Sequence, residues 1–489
     1  MLTEPLRPSV KFLSEPLIDK IVDESCQLLE RIGVFVENQE AMELFLEAGA
    51  KADPTSRRVY IPRKLVDDAL KSAPRTITLY DARGEKSFLI GGDEIHFDPG
   101  STALRLFDHR TQCERKAVTA DLVRFSSLIQ RLENFHFQST GLISSDVPEA
   151  ISDCYRLFIA LQNCTKPIVT GLFVVEGFKP MLEMLVAVRG SAAMLREQPL
   201  AIFDACPSPP LRWSNLTTQS LIDCARAGIP SELVSMPLTG ATAPVTLTGS
   251  LVQLTAENLA GVVITQLAMP GAPVIFGGSP SCFDMHTANP PMGAIETMMI
   301  DSAYSQIGKS LGLPTHAYIG LSDSKCVDAQ AGLETGMGVV LAALSGINVI
   351  SGGGMMDYES TQSLEKLVID NDICGMAYRM IGGISQRDER MALDLFLEGG
   401  AGIDFLTHPH TLQWHLQEQK YPAIINRDGY QQWIDEGKPT LADRAAARVE
   451  EFLGGDRDPV LSPEVVRDVR RIMEQYAKLS GFATLPPLD

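Results

Sequence analysis

The feature that most constrains this chain is a regular beat: short runs of buried-strand character, each followed by a turn residue and a stretch of helical spacing. The runs are FHFQSTGLI (135–143), PIVTGLF (167–173), PLAIFDACP (199–207), SELVSMPLT (231–239), PVIFGGSPS (273–281), PTHAYIGLS (314–322), NVISGGGMM (348–356) and FLTHPHT (405–411). Between them lie segments such as AISDCYRLFIALQNC and LVQLTAENLAGVVITQLAM. Continuous apolar strands alternating with amphipathic helices point to parallel strands covered on both faces. Eight units over roughly 275 residues predict an α/β fold, a (β/α)8 TIM barrel over 135–411, with a doubly wound open sheet as the alternative.

Upstream, residues 1–134 read as helices and a small sheet. Leu17, Ile18, Ile21, Val22, Cys26 and Leu29 make one helical stripe, and TITLYDA, SFLIGG, EIHFDPG and ALRLFD suggest a small antiparallel sheet over 76–108, placed near the barrel mouth. Downstream, 412–489 contains LADRAAARVEEFLG and PEVVRDVRRIMEQYAKL, extra C-terminal helices expected to pack on the outside. All three parts are expected to form one domain.

Charge narrows the partners. Lys and Arg total 42 against 61 Asp and Glu, a net charge of −19, which repels nucleic-acid phosphates and anionic lipid. A cationic small molecule or a protein partner fits better. No run of 18 apolar residues and no signal-peptide pattern stand out, and the nine cysteines form no CxxC pair. A cytoplasmic protein with reduced thiols is expected.

Barrel enzymes carry their chemistry at the C-terminal ends of strands. Those ends supply Phe173, Asp204 and Cys206, Ser279, Asp323, the Gly353–Gly354–Met355 run, and His408 with His410. The loop SDSKCVDAQAGLETG is the most chemically loaded, with Asp323, Asp328, Gln330 and Glu334 close together. Asp323, Asp328 and Glu334 are the candidate catalytic carboxylates and Gln330 a candidate substrate contact. The bland alternative makes Asp328 a helix N-cap and Glu334 a solvated helix residue. As zinc ligands His408 and His410 would need Cys206, Asp204 or Asp323 as a third, but the proline between them weakens that pattern, and no metal is expected. Neither GxGxxG nor GxxxxGK[ST] occurs in the right setting, and no GxSxG elbow is present.

Several segments resemble one family. DMHTANPPMGAIE (284–296), LGLPTHAYIGLSDSKCVDAQAGLE (311–334), ALSGINVISGGGMM (343–356), SLEKLVIDNDI (363–373) and FLTHPHT (405–411) are similar to the trimethylamine methyltransferase superfamily, and more closely to its non-pyrrolysine branch. The resemblance covers nearly the whole chain. It implies a TIM barrel that passes a methyl group to cobalamin, a corrinoid carried by a separate partner protein, with no tightly bound cofactor of its own. The trimethylamine enzymes carry pyrrolysine, whereas this chain has standard residues only. Members of the non-pyrrolysine branch with an assigned activity use quaternary amines such as glycine betaine, proline betaine or carnitine.

A quaternary ammonium suits a site without an acid–base triad, because its departing amine needs no proton. Such a cation calls for aromatic faces. Phe97, Phe173 and Tyr358 are the substrate-binding candidates, with Asp204 beside them; Phe203 in mid-strand reads as core. For a betaine carboxylate, His408, His410 and Arg105 are the candidate donors, with Ser101 and Thr102 as hydroxyl alternatives. The rival readings are a metal-assisted barrel hydrolase or lyase and a non-catalytic betaine-binding protein. A homo-oligomer is compatible with any of these.

Overall fold

Helices that follow strands begin where a short polar side chain takes up a free backbone N–H. Ser214, Thr246, Asp328 and Ser363 accept from Thr217, Gly249, Ala331 and Lys366, starting helices Asn215–Ala227, Leu247–Ala268, Ala329–Ser345 and Leu364–Ile381. Each cap contributes about 1 kcal/mol. The structure, a computed structural model, describes residues 4–53, 55–455, 459–482 and 484–487.

Eight short parallel strands form the centre: β1 (His96–Pro99), β2 (Gln138–Ser139), β3 (Ile168–Gly171), β4 (Ala201–Ala205), β5 (Ser231–Ser235), β6 (Val274–Gly278), β7 (His316–Tyr318) and β8 (Val349–Gly353). Strands β2 to β6 make one five-stranded ladder, and β7, β8 and β1 make a three-stranded one. At one margin Phe276 of β6 bridges to Thr315 beside β7; at the other Phe97 of β1 bridges to Phe135 beside β2.

Strand alternation sorts the side chains into layers, because successive residues face opposite sides. Phe137, Val169, Ile202, Ile275 and Val349 form an apolar cluster with Ile77, Leu79 and Ile90. Two residues further along β2, β3, β4, β6 and β8 stand Ser139, Gly171, Asp204, Gly277 and Ser351. An apolar floor is therefore followed by a polar storey, with Asp98, Glu232 and His316 at the same level, all buried.

Helix Leu247–Ala268 shows how the outer layer is tied down. By length and composition it is apolar enough to cross a membrane, yet 83% of that window is buried inside the molecule. Its polar residues reach the strands: Asn258 donates to the Gly277 carbonyl at 2.7 Å, and Glu257 accepts from the Leu211 N–H at 2.9 Å. The N-terminal helices Glu15–Arg31, Gln39–Glu47 and Arg63–Ser72 lie against it. Helix Leu441–Gly454 packs on Leu364–Ile381, and Pro463–Leu479 packs on Phe178–Arg189. Between these parts, helices Leu393–Gly399, Pro409–Glu418 and Tyr430–Asp435 bury no residue.

Three expectations are corrected. The segment 405–411 is not a strand: it is a turn in which His408 caps helix Pro409–Glu418. Pro409 cannot donate to a ladder but suits a first helical turn. The missing eighth strand is β1, drawn from the segment assigned to the antiparallel sheet; all four of its residues are buried, as a strand enclosed on both faces requires. The parallel strands thus begin before residue 135. The small sheet itself is split. Hairpin Ile77–Tyr80/Ser87–Ile90 closes the floor, at the end opposite the mouth. Hairpin Arg105–Asp108/Cys113–Lys116 stands at the mouth, paired through Arg105 to Thr361.

Gly338 and Gly332 share helix Ala329–Ser345 but differ in surroundings. A Cβ on Gly338 would lie 2.0 Å from the Ile319 carbonyl oxygen, whereas one on Gly332 would meet nothing within 4 Å. Gly338→Ala is expected to destabilise the fold by about 1–3 kcal/mol through overpacking. Gly332→Ala should stabilise it by about 0.5–1 kcal/mol. Opposite shifts of the thermal midpoint check the helix-to-strand contact; equal shifts would contradict it.

Candidate active site

Above the polar storey, the C-terminal strand ends enclose a cavity of about 250 Å³. Asp204 enters from β4, Tyr318 from β7 and Ser279 from just beyond β6; Ser101 and Thr102 follow β1, and Phe173 follows β3. Arg156 comes from helix Ser152–Asn163, and Glu359 from the loop after β8.

Arg156 is 1% exposed. Its Nη1 donates to Thr102 Oγ1 at 3.0 Å and to the Thr140 carbonyl at 2.7 Å, and its guanidinium lies 4.4 Å from the centre of the Phe173 ring. Burial pulls this arginine down to about 10. Burial also pushes Asp204 up to about 7 and Glu359 up to about 8, the latter helped by Asp323 and Asp204. Near neutral pH Asp204 therefore stands close to half-protonated, even with the attraction of Arg156, and Glu359 is mostly protonated.

Under the cavity the polar storey carries its hydrogens inward. His316 Nδ1 is 3.1 Å from Glu232 Oε1, its Nε2 is 2.9 Å from Ser351 Oγ, and Ser351 donates to Asp98 Oδ2 at 2.6 Å. Burial holds His316 down at about 3 and raises Glu232 and Asp98 well above the usual carboxylate range. The Glu232–His316 contact is thus between a neutral acid and a neutral imidazole rather than an ion pair.

Glu359 reaches the cavity because the backbone before it is left-handed. Asp357, Tyr358 and Glu359 have φ of 49°, 55° and 65°, a conformation that costs non-glycine residues about 1–2 kcal/mol each. The loop is fastened on both sides: the Asp357 N–H donates to the Ser324 carbonyl at 3.2 Å, and Ser360 Oγ donates to Asp357 Oδ2 at 2.7 Å. Strain kept at a cavity wall in this way is characteristic of functional sites.

The sequence model of the trimethylamine methyltransferase (MTTB) family matches residues 2–478. The chain belongs to that family. It is 31% identical to the glycine betaine methyltransferase of Desulfitobacterium hafniense strain Y51, over 97% of this chain and 99% of the relative. It is 30% identical to the trimethylamine methyltransferase of D. hafniense strain DSM 10664, over 94% of this chain and 92% of the relative. In fold it is similar to the Methanosarcina barkeri monomethylamine methyltransferase, with a TM-score of 0.54 and 12% identity over 92% of this chain and 90% of that one.

In this methyltransferase, two of the substrate contacts expected from sequence, Phe173 and Asp204, line the cavity, as do Ser101 and Thr102. The others lie elsewhere. Phe97 is one residue out of phase with the inward Asp98, and its ring packs outside β1 against Tyr378, centroids 5.1 Å apart. Tyr358 lies under the Lys325 ammonium at 4.1 Å. Gln330 donates to Glu334 at 2.9 Å. His408 accepts from the His410 N–H, and His410 Nε2 is 3.2 Å from Asp388. Arg105 pairs with Glu114. Among the described residues, no group of three or more His, Cys, Asp or Glu is placed to hold a metal ion.

The three expected catalytic carboxylates are occupied by backbone and hydroxyl groups. Asp323 accepts from the Met292 and Gly293 N–H groups at 2.9 and 2.8 Å, and burial raises it to about 6. Glu334 accepts from Ser322 Oγ at 2.6 Å and the Asp323 N–H at 2.8 Å. Asp328 caps its helix through the Ala331 N–H at 3.1 Å and also accepts from Ser324 Oγ. None of the three lines the cavity. Arg156 and Glu359, which do, carry no sequence signal: one lies within a helical stretch and the other beside the chosen Tyr358.

Asp328→Ala should accordingly lower stability by about 1 kcal/mol through the lost cap while leaving ligand affinity within about two-fold, within the usual reach of a mutation distant from the ligand. Thermal unfolding and calorimetric titration on one preparation check this. A stable variant with abolished binding would return Asp328 to the site.

Proposed function

We propose that this chain is a (β/α)8-barrel enzyme that removes a methyl group from a quaternary amine of the glycine betaine kind and delivers it to cobalamin on a separate corrinoid protein. The carrying observation is the cavity itself, where aromatic rings and two proton-adjustable carboxyls, Asp204 and Glu359, meet at the ends of parallel strands. The barrel reading is supported by the two bridges that link the ladders at both margins. Identity to the glycine betaine and trimethylamine enzymes is nearly equal, 31% and 30%, so it does not choose the amine. The composition supports a quaternary amine: every residue is a standard one, and the family's trimethylamine enzymes carry pyrrolysine.

The side chains present suit a cation whose charge fades during reaction. A permanent ammonium leaves as a neutral amine, so no residue has to protonate it. Phe173 and Tyr318 offer ring faces, each contact worth about 0.5–2 kcal/mol. Asp204 and Glu359 become ionised when the cation arrives and regain a proton as the charge is lost, which avoids an over-tight ground state. The corrinoid, when delivered, supplies the cobalt nucleophile. The rim suits a large apolar face: Leu104, Phe173, Met236, Val245 and Met285, all in loops after strands, are exposed, and such patches mark contact surfaces.

With a cognate corrinoid protein reduced to cob(I)alamin, glycine betaine should yield methylcobalamin and dimethylglycine, followed by absorbance, while trimethylamine should not react. Efficient turnover of trimethylamine would overturn the choice of amine. The acids also predict a pH dependence. Each is protonated below its raised value and ionised above it, and a cation binds the ionised form better, so glycine betaine affinity should rise between pH 6 and 9. Glu359→Gln should remove the upper part of that rise in calorimetry. A flat profile would take both carboxyls out of the cation's seat.

A further inference from the structure

Arg156 is a buried cation with an unmet hydrogen-bonding capacity. It is 1% exposed, yet among the described residues no carboxylate oxygen lies within 4 Å of its guanidinium. Nη1 is used, by Thr102 and the Thr140 carbonyl, but Nε is buried without a partner. The nearest acid on its own helix, Asp153, is committed elsewhere: it accepts from the Cys154, Phe173 and Val174 N–H groups at 2.7, 3.1 and 3.4 Å. Asp153 and Asp204 attract it only from beyond ion-pair distance; a buried charge without a close partner costs several kcal/mol, so its place in a cavity wall points to a ligand that completes it.

We propose that Arg156 seats the anionic end of the substrate, so that the enzyme selects methylated ammonium ions that also carry a carboxylate. This rests on the functional reading above and narrows it from quaternary amines to zwitterions. Guanidinium is suited to the task because its planar donors match a carboxylate in pairs. Stacking on Phe173 holds the plane, and the residue lines the cavity wall. Ser101 Oγ and Thr102 Oγ1, 2.8 Å apart and both in the cavity wall, add a hydroxyl donor beside it. Asp204, Tyr318 and Glu359 belong to the same cavity and supply the ammonium end. Positive and negative seats in one chamber would orient a zwitterion, which determines which methyl group faces the mouth.

The test compares molecules that differ only at the anionic end: glycine betaine with choline, and dimethylglycine with dimethylaminoethanol. Calorimetry on the full-length protein should show the carboxylate-bearing member of each pair binding about 10- to 100-fold tighter, the range of a hydrogen bond to a charged group. Arg156→Gln should erase that preference while leaving choline affinity within about three-fold, and Arg156→Lys should keep part of it. Retained choline binding also reports that the variants are folded. Equal binding within both pairs by the unmodified protein, or equal loss of choline and glycine betaine in the two variants, would overturn the proposal. A carboxylate preference without any methyl transfer would instead defeat the functional reading and leave Arg156 in its role.

Discussion

Everything in this molecule depends on burying acids among the parallel strands without ion-pair partners for Asp98 and Glu232. Period-two alternation sets Ile202 beneath Asp204 and Val349 beneath Ser351, so a slip of one residue in any strand would exchange the polar storey with the outer core. Removing a carboxylate from water is expensive unless it is paired or neutralised. Here the solution is protonation: Asp98 and Glu232 are driven well upward by burial. The interior is close to neutral, and the groups at its upper edge, Asp204 and Glu359, are the ones left near the balance point.

The extent to which this was legible in the sequence follows from the range of the interactions involved. Seven of the parallel strands declare themselves through local apolar runs, and Asp204 and Phe173 follow from the rule that barrel chemistry sits at strand ends. The first strand hides because HFDP is short, enclosed on all sides, ends in proline and is followed by glycine. An antiparallel sheet over this segment leaves the facing of Phe97 open, since only its pairing with the parallel strands sets which side chain looks inward. FLTHPHT imitated a strand through its alternating histidines, and Pro409 was the signal against it. Arg156 points inward only because its helix packs as it does, and Glu359 is delivered by left-handed residues that no sequence pattern announces.

The polar density of the loop after β7 goes into holding backbone. The loop around Asp323 is rich in acids because three neighbouring loops need fastening to one another. Asp323 grips the 292–293 backbone, Glu334 grips Asp323 and Ser322, and Ser324 receives the Asp357 N–H. Glu359 follows two residues later on that last loop. These carboxylates hold the backbone of loops that lead to the cavity wall, the kind of support that keeps a site's geometry without touching a ligand.

The hairpin that closes the floor has a kinetic meaning. Ile77, Leu79 and Ile90 cover the lowest layer of the strands, so amine and acceptor, in the transfer proposed above, would share the mouth. A small amine and a bulky protein-borne acceptor cannot pass one another there. Transfer as proposed above then follows a compulsory order: amine enters, acceptor covers it, and the demethylated amine departs only after the acceptor has lifted away. An excess of acceptor protein would act as a lid on the empty chamber and slow its own reaction, whereas a barrel open at both ends would show no such self-obstruction.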